Sequence, residues 1–165
     1  MITGHPSVEQ PEGIDIPAEL FLAIDHVGIA VADLDVAIDF YRQMFGMRVV
    51  HQEINQAQGV REAMVAVGDS DVQIQLLAPI DANSAIARFL DRSGPGLQQL
   101  AFQVRDVAAV AELLRKRGLQ LLYDEPRIGT AGSLINFVHP KDTGGVLVEL
   151  VEPSRTRHKS TEQAL

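Results

Sequence analysis

The sequence predicts an α+β fold in which two tandem βαβββ modules contribute their strands to one curved mixed sheet. Three observations lead to this prediction. The chain has 165 residues, enough for one domain or two small fused halves. An internal repeat relates its two halves. Within each half, apolar residues alternate as in a strand and then recur at helical spacing, a pattern typical of strands combined with a helix.

The internal repeat is clearest in the first and last strands of each module. Residues 25–31 align with residues 98–104, and residues 72–79 align with residues 146–153. Identity within these pairs is modest, but the order of the elements between them matches throughout. A matched order of elements indicates that one supersecondary unit is duplicated.

Each copy of the repeat predicts a strand, a helix and then three further strands. Asp33 and Asp106 lie at equivalent positions and predict helix N-caps, because a carboxylate there accepts hydrogen bonds from free backbone N–H groups. Gly46 and Gly118 predict the two helix ends. Strands are expected at 47–55, 60–67 and 71–78 in module one and at 119–123, 133–138 and 145–151 in module two.

One face of the first strand in each module is apolar and is expected to be covered by the helices. In module one this face carries Val27, Ile29 and Val31, and the first helix presents a matching stripe of Leu34, Ile38, Tyr41 and Phe45. The opposite face of the same strand carries His26 and small residues, which favours a cavity wall over a packed core.

The segments outside the modules are polar. Residues 1–21 hold three prolines and predict a flexible N-terminal arm, and the last residues predict a polar tail. The expected boundaries are the arm at 1–21, module one at 22–80, a linker with a short helix (84–90) at 81–96, module two at 97–153 and the tail at 154–165.

Composition excludes several classes of function. The chain has no cysteine, which removes disulfide frameworks, Cys-ligated zinc and thiol nucleophiles. Its net charge of −8 argues against nucleic acid as a partner, because such domains present a basic face. No apolar run approaches the roughly 20 residues of a membrane span. The first residues lack a signal-peptide pattern, so a cytoplasmic location and no membrane partner are expected.

Four polar residues on matched strands form the candidate site. His26 and Gln99 are repeat equivalents, as are Gln75 and Glu149, so the four side chains converge if the modules pack with pseudo-twofold symmetry. One imidazole, two amides and one carboxylate suit a divalent ion such as Co²⁺, Mn²⁺, Ni²⁺, Zn²⁺ or Mg²⁺. The structural alternatives are a buried salt bridge for Glu149 and a hydrogen-bonded core histidine for His26.

Four stretches carry a resemblance to a known family: residues 25–27 (DHV), 58–62 (QGVRE), 122–129 (LYDEPRIG) and 139–150 (HPKDTGGVLVEL). Together with the duplicated βαβββ plan, they resemble the vicinal oxygen chelate superfamily, which includes glyoxalase I, extradiol dioxygenases and antibiotic-binding proteins. Within it, residues 23–153 are most similar to the methylmalonyl-CoA epimerase family.

The resemblance implies a divalent metal held by His26, Gln75, Gln99 and Glu149, and acid/base catalysis by Glu62 together with Glu149. The implied reaction is the interconversion of (2R)- and (2S)-methylmalonyl-CoA through an enolate, and the implied assembly is a homodimer. The chain departs from the family at Gln98-Gln99, where two successive histidines are common. Gln99 can still coordinate through its amide oxygen. For Glu62, an exposed strand carboxylate is the alternative.

Other functions remain open at this point. A glyoxalase I-like isomerase would also use a metal and a carboxylate base, and a metal-free binding module would need neither. An extradiol dioxygenase would require two histidines and one carboxylate around iron, and Gln99 occupies the second histidine position. Arg61, Arg127 and Lys141 are candidates for contacting CoA phosphates, with a solvated surface role as the alternative for each.

Overall fold

A computed structural model describes residues 16–154. Most of the predicted N-terminal arm and most of the predicted tail lie outside the described residues. In chain order the described residues form β1 (Phe21–Ala30), α1 (Leu34–Phe45), β2 (Arg48–Asn55), β3 (Val60–Ala66), β4 (Gln73–Pro79), α2 (Ala85–Ser93), β5 (Gly96–Val104), α3 (Val107–Lys116), β6 (Arg127–Ile128), β7 (Leu134–Val138) and β8 (Leu147–Glu152). Two short 3-10 helices cover Thr130–Gly132 and Pro140–Asp142.

All eight strands belong to one sheet in the order β2-β3-β4-β1-β5-β8-β7-β6. Module one supplies the first four of these strands and module two supplies the last four. β1 pairs with β4 and β5 pairs with β8 in parallel, whereas β1 and β5 pair antiparallel at the centre of the sheet. The predicted α+β fold of two repeated modules is therefore confirmed.

The register of the central strands follows the sequence repeat. In the parallel pairs, Gly28 lies opposite Gln75 and Ala101 lies opposite Glu149. In the antiparallel pair, Gly28 lies opposite Gln99 and His26 lies opposite Ala101. Because Gly28 and Ala101 are repeat equivalents, exchanging the two modules maps each of these pairs onto its counterpart. This symmetry brings the four polar residues of the repeat to the middle of the sheet.

Side-chain caps fix the helix starts as predicted. The Asp33 carboxylate accepts a hydrogen bond from the Val36 N–H, and Asp106 accepts one from Ala109. Gly46 ends α1 in the left-handed conformation, at φ 64°, and its N–H donates to carbonyls of the last turn. Two caps and a glycine stop therefore set where the helices lie on the sheet.

The helices cover the sheet with two separate apolar clusters. Leu34 and Ile29 belong to the cluster under α1, and Val110 and Val104 belong to the cluster under α3. The predicted α1 stripe holds for its first three members, but Phe45 is exposed and packs against Phe40 and Tyr41 at the end of the helix. Phe45 immediately precedes the Gly46 turn, so the chain leaves the sheet before its ring can be covered.

The strand predicted at 119–123 is wrong. This segment makes only an isolated bridge, between Leu121 and Val138. Side chains take over part of the pairing that a ladder would supply: Asp142 accepts a hydrogen bond from the Gln120 N–H, and Asn136 accepts one from the Tyr123 N–H. The pairing with β7 is instead resumed by the two-residue strand β6.

Within residues 16–154, no helix has both the length and the apolar character needed to cross a membrane.

Candidate active site

The four predicted ligands lie on four neighbouring strands and are all buried. His26 is on β1, Gln75 on β4, Gln99 on β5 and Glu149 on β8, and each is at most 8% exposed. They share the face of the sheet opposite α1 and α3. Helix α2 packs at one end of this same face, where Ile86 contacts Ala30 and Leu77 in a third apolar cluster. The pseudo-twofold arrangement thus delivers the polar cluster that the repeat predicts.

The polar atoms of the four residues converge on one point. The Gln99 Nε2 group donates to Gln75 Oε1 at 2.9 Å and to Glu149 Oε2 at 2.7 Å, and lies 3.2 Å from His26 Nε2. His26 Nε2 is in turn 3.1 Å from Glu149 Oε2. One imidazole, one amide oxygen and one carboxylate therefore surround a single amide nitrogen.

Asp25 orients the imidazole of His26. The Asp25 carboxylate lies 2.8 Å from His26 Nδ1, which leaves Nε2 facing the cluster. Burial lowers the pKa of His26, but the hydrogen bonds and negative charges of Asp25 and Glu149 outweigh burial and raise the pKa to about 9. A carboxylate behind the imidazole is the usual support of a histidine that binds a metal.

Gly28 makes room for Gln99. A Cβ atom added at Gly28 would lie 2.4 Å from Gln99 Cγ, well inside contact distance. The Gln99 side chain crosses the β1 backbone at this point to reach the cluster, so only glycine is compatible with its path. The small residues beside His26, interpreted from the sequence as a cavity wall, serve in part to let Gln99 pass.

Glu62 lies beside the cluster and is fully buried on β3. Its Oε2 accepts a hydrogen bond from Gln75 Nε2 at 2.8 Å, and its Oε1 accepts one from Thr130 Oγ1 at 2.8 Å. Glu53 on β2 is its cross-strand partner. Glu62 is therefore not the exposed strand carboxylate that the sequence left as an alternative.

The environment of Glu62 favours its protonated form near neutral pH. Burial raises the pKa of Glu62, the Thr130 hydroxyl opposes that rise, and the hydrogen bond and charge of Glu53 and the charge of Glu149 add to it. The outcome is a pKa of about 7. A carboxyl group with that pKa can both accept and return a proton at physiological pH.

Gln75 links the two halves of the site. Its Oε1 faces Gln99 in the four-residue cluster, and its Nε2 donates to Glu62 and, at 3.0 Å, to Thr130. The two carboxylates Glu62 and Glu149 consequently lie at opposite ends of a bridge made of two glutamine amides. Each carboxylate has its own set of partners, which can give the two groups different roles.

The donor set fits a divalent metal ion. His26 Nε2, Gln75 Oε1 and Glu149 Oε2 all face the Gln99 amide, and a half-turn of this amide would present its oxygen in place of its nitrogen. Nitrogen and oxygen ligands of this kind suit first-row divalent ions and Mg²⁺. Among residues 16–154 no three His, Cys, Asp or Glu side chains are arranged to hold a metal ion together, so amides would have to complete the set.

A cavity of about 470 Å³ opens next to the cluster. Gln99 forms part of its wall, together with residues of the 56–60 loop, α2 and the 122–128 segment. His26 and Glu149 instead line a second space of about 20 Å³, which Thr130 also borders. Glu62 lines neither space. Its partner Thr130 borders the smaller one, and its partner Gln75 contacts Gln99 at the wall of the larger one. The volume of the larger cavity is within the range of small-molecule sites.

Two cations border the larger cavity. Arg127 lies over the ring of Tyr123, 3.8 Å from its centroid, and both residues line the wall, as does Arg88 on α2. Of the three basic residues predicted to contact phosphates, Arg127 is therefore at the cavity. Arg61 instead pairs with Asp35 at 3.1 Å, and neither Arg61 nor Lys141 lines the cavity.

The sequence interpretation missed Thr130, Glu53, His51 and Arg88. Thr130 lies in a 3-10 turn in which Ala131 adopts a positive φ of 54°, and the only sequence signal for this turn is the pair Gly129 and Gly132 on either side of it. His51 and Glu53 occupy alternate positions on β2 and point to the same side. That alternation was the available signal for a polar face on this strand.

Comparison with known proteins connects this site to a family. Residues 25–137 match the family described as the Glyoxalase/Bleomycin resistance protein/Dioxygenase superfamily. A curated relative, the ethylmalonyl-CoA/methylmalonyl-CoA epimerase of Cereibacter sphaeroides, is 35% identical over 129 residues, which cover 77% of this chain and 95% of the relative.

Solved structures of methylmalonyl-CoA epimerases also superpose on this chain. The methylmalonyl-CoA epimerase of Mycobacterium tuberculosis superposes with a TM-score of 0.82 at 55% identity, covering 88% of this chain and 97% of that protein. A variant of the Streptomyces coelicolor methylmalonyl-CoA epimerase, in complex with 2-nitronate-propionyl-CoA, superposes with a TM-score of 0.79 at 45% identity, covering 81% of this chain and 99% of that one.

Proposed function

Because the chain belongs to the glyoxalase/bleomycin resistance protein/dioxygenase superfamily and, within it, to the methylmalonyl-CoA epimerases, we propose that it interconverts (2R)- and (2S)-methylmalonyl-CoA. The observation that carries the residue assignment is the pair of buried carboxylates, Glu62 and Glu149, at the two ends of the glutamine bridge. Epimerisation requires one group to remove the C2 proton and another to return a proton to the opposite face.

Glu62 and Glu149 are the two proton-transferring groups in this proposal. In one direction an ionised carboxylate breaks the C2–H bond and becomes protonated, and the electron pair passes to the thioester as an enolate. The second carboxyl group, which starts protonated, then forms the new C2–H bond on the other face. The pKa of Glu62, raised to about 7, lets it start in either state at neutral pH.

His26, Gln75, Gln99 and Glu149 would hold the divalent ion. When bound, such an ion supplies positive charge that stabilises the enolate oxygen and the substrate carboxylate. The protein's own contribution is to fix the ligands: Asp25 holds the His26 ring, and Gly28 lets Gln99 reach the cluster. The donor set suits cobalt, manganese, nickel, zinc or magnesium.

The larger cavity is the proposed binding site for the CoA thioester. Its volume and its place beside Gln99 allow the acyl end of the substrate to approach the cluster while Arg88 and Arg127 face the anionic CoA portion. Arg127 is held in place by its contact with Tyr123, so it presents a pre-organised charge. The proposal also includes the homodimer that the family resemblance implies and the cytoplasmic location expected from the sequence.

The test is epimer conversion by the purified, metal-loaded protein in deuterated water. We expect (2R)-methylmalonyl-CoA to be converted into a mixture of both epimers, with deuterium at C2, and the same protein to leave the hemithioacetal of methylglyoxal and glutathione unchanged. Turnover of the hemithioacetal without conversion of methylmalonyl-CoA would instead assign a glyoxalase I-like isomerase. Loss of conversion in Arg127→Ala with an unchanged metal content would support the substrate site.

A further inference from the structure

We propose that Glu53 is a positioning residue that acts on Glu62 through the turn at 129–133. The Glu53 carboxylate holds this turn against β2, and the turn in its place holds the Thr130 hydroxyl against Glu62. The inference rests on the proposed function, because Glu53 has this role only if Glu62 transfers the C2 proton. Glu53 lines neither of the two cavities, so it acts on the reaction through other residues.

The turn joins the two ends of the sheet. β2 is the first strand in the sheet order and β6 is the last. The turn follows β6 directly, yet its Ala131 N–H donates to Glu53 Oε2 on β2 at 3.1 Å. These two residues are 78 positions apart in the chain and come from opposite edges of an eight-stranded sheet. Their hydrogen bond therefore closes the curved sheet, next to the cross-strand pair of Glu53 and Glu62.

The same turn brings Thr130 to Glu62. Thr130 Oγ1 donates to Glu62 Oε1 at 2.8 Å and accepts from Gln75 Nε2 at 3.0 Å. A hydroxyl group that donates to one partner and accepts from another has a defined orientation. Gln75 Nε2 also donates to the other carboxylate oxygen, Glu62 Oε2. The Glu62 carboxylate is consequently oriented by one residue from each module, and the contribution of module two depends on the turn.

The backbone of the turn requires an outside contact at Ala131. Ala131 has a φ of 54° and a ψ of 31°, in the left-handed region that is unfavourable for a residue with a Cβ atom. Such residues persist where the surrounding structure holds them. The N–H groups of Gly132 and Ser133 donate to carbonyls of the same turn, whereas the Ala131 N–H donates to Glu53. Glu53 thus fixes the residue that directly follows Thr130.

His51 fixes the acceptor oxygen of Glu53. His51 and Glu53 occupy alternate positions on β2, so their side chains lie on the same face of the strand. His51 Nε2 contacts Glu53 Oε2, the oxygen that accepts from Ala131. The carboxylate therefore has a partner on its own strand and a partner in the turn, and it meets the Ala131 N–H in a pre-organised position.

Three substitutions separate the oxygen of Glu53 from its charge. Glu53→Gln removes the charge and keeps an oxygen that can accept from Ala131. Glu53→Leu removes both and keeps an extended side chain. Thr130→Val removes the hydroxyl and keeps the shape of the side chain. Gln52→Leu is the matched control for an apolar substitution on the same strand, because Gln52 is exposed on the other face of β2.

Hydrogen exchange of the Ala131 amide, followed by NMR on the full-length protein without substrate, measures the Glu53–Ala131 hydrogen bond itself. We expect the Ala131 amide to exchange about tenfold faster in Glu53→Leu than in the wild type, because its acceptor is lost. Glu53→Gln and the control Gln52→Leu should keep the wild-type exchange rate. An unchanged exchange rate in Glu53→Leu would overturn the proposal, whatever the activity of the protein.

Initial rates of epimerisation by the metal-loaded proteins test the effect on Glu62. We expect Glu53→Leu to lower kcat by about tenfold or more while KM and metal content stay close to wild type, because a misplaced proton-transferring group slows the chemical step without weakening binding. Glu53→Gln should retain kcat. Adding Glu53→Leu to Thr130→Val should lower kcat no further than Thr130→Val alone, because Glu53 acts through Thr130.

Three kinetic results would overturn the positioning role. A wild-type kcat for Glu53→Leu would show that the turn does not need Glu53. Equal losses in Glu53→Gln and Glu53→Leu would assign the effect to the charge of Glu53, and additive losses in the double variant would assign it to a route that bypasses Thr130. The proposed function fails separately, if the wild type leaves methylmalonyl-CoA unconverted. An inactive Glu62→Gln beside a fully active Glu53→Leu would refute only the positioning role.

Discussion

Replacing Glu62 with glutamine is expected to stabilise the folded protein above pH 7. The carboxyl group is 0% exposed, and its raised pKa means that the fold favours the neutral form. Glutamine has the same shape and stays neutral at every pH. Its amide oxygen can accept from Thr130, whereas its amide nitrogen cannot accept the hydrogen bond that Glu62 Oε2 takes from Gln75 Nε2. The substitution therefore removes the ionisation together with one hydrogen bond, and the cost of that bond does not change with pH.

The size of the effect follows from the pKa of Glu62 in the two states. The pKa is about 7 in the folded protein and 4.5 as a reference for the unfolded chain. Between these values the folded state holds a proton that the unfolded state has lost, so the free energy of unfolding falls as pH rises, by about 1.4 kcal/mol per pH unit. Over the whole window the loss is about 3 kcal/mol, and Glu62→Gln should not show it.

The assay is urea unfolding of wild type and Glu62→Gln from pH 4.5 to pH 8, with a chelator present so that no bound ion contributes. Between pH 4.5 and pH 8 the difference in the free energy of unfolding should shift by about 3 kcal/mol in favour of the variant. His26 titrates in both proteins, so its contribution cancels in the difference. A difference that stays constant across this range would refute the assignment of Glu62 as a buried, titrating carboxyl group.

Three further expectations follow from the geometry of the site. Asp25→Asn should weaken binding of Co²⁺ or Mn²⁺ to the chelator-treated protein by roughly 10–100-fold, because the orienting carboxylate behind His26 is lost; unchanged affinity in a titration followed by calorimetry would contradict this role. Gln99→His should tighten binding of the same ions, because imidazole is the stronger ligand; an unchanged affinity would mean that Gln99 is not a ligand. Gly28→Ala should destabilise the protein by about 1–3 kcal/mol in thermal unfolding and lower its metal affinity, because the added Cβ would lie 2.4 Å from Gln99 Cγ. Normal stability together with normal metal affinity would contradict this close approach.

The repeat made the cluster of His26, Gln75, Gln99 and Glu149 predictable from the sequence. Period-two alternation places His26 and Gln99 on one face of their strands, and the equivalence of Gln75 with Glu149 extends the same face to the next strands. These four positions depend only on strand periodicity and on module symmetry, both of which are encoded locally. The structure brings the same four side chains within hydrogen-bonding distance.

The second half of the site was less accessible to sequence reasoning. Glu62 lies on a strand whose residues are buried on both faces, so alternation carries no information, and only the family resemblance pointed to it. Thr130 contacts Glu62, and Ala131 contacts Glu53, so both contacts join distant parts of the chain. One turn makes both contacts, and two glycines are its only signal in the sequence. The strand wrongly predicted at 119–123 shows the same limit, because the side chains of Asn136 and Asp142 replace part of its ladder.

The central claim is that Glu62 and Glu149 transfer protons on opposite faces of C2, and Glu62→Gln tests it most directly. NMR in deuterated water can follow epimer conversion and C2 deuterium together, with the metal content measured on the same sample. Epimer conversion should fall by roughly 10² or more, because the amide cannot accept or return the C2 proton. Glu149 can still exchange the proton on its own face, so deuterium should enter one epimer without inversion. Near-normal conversion by a fully metal-loaded Glu62→Gln protein would contradict the account.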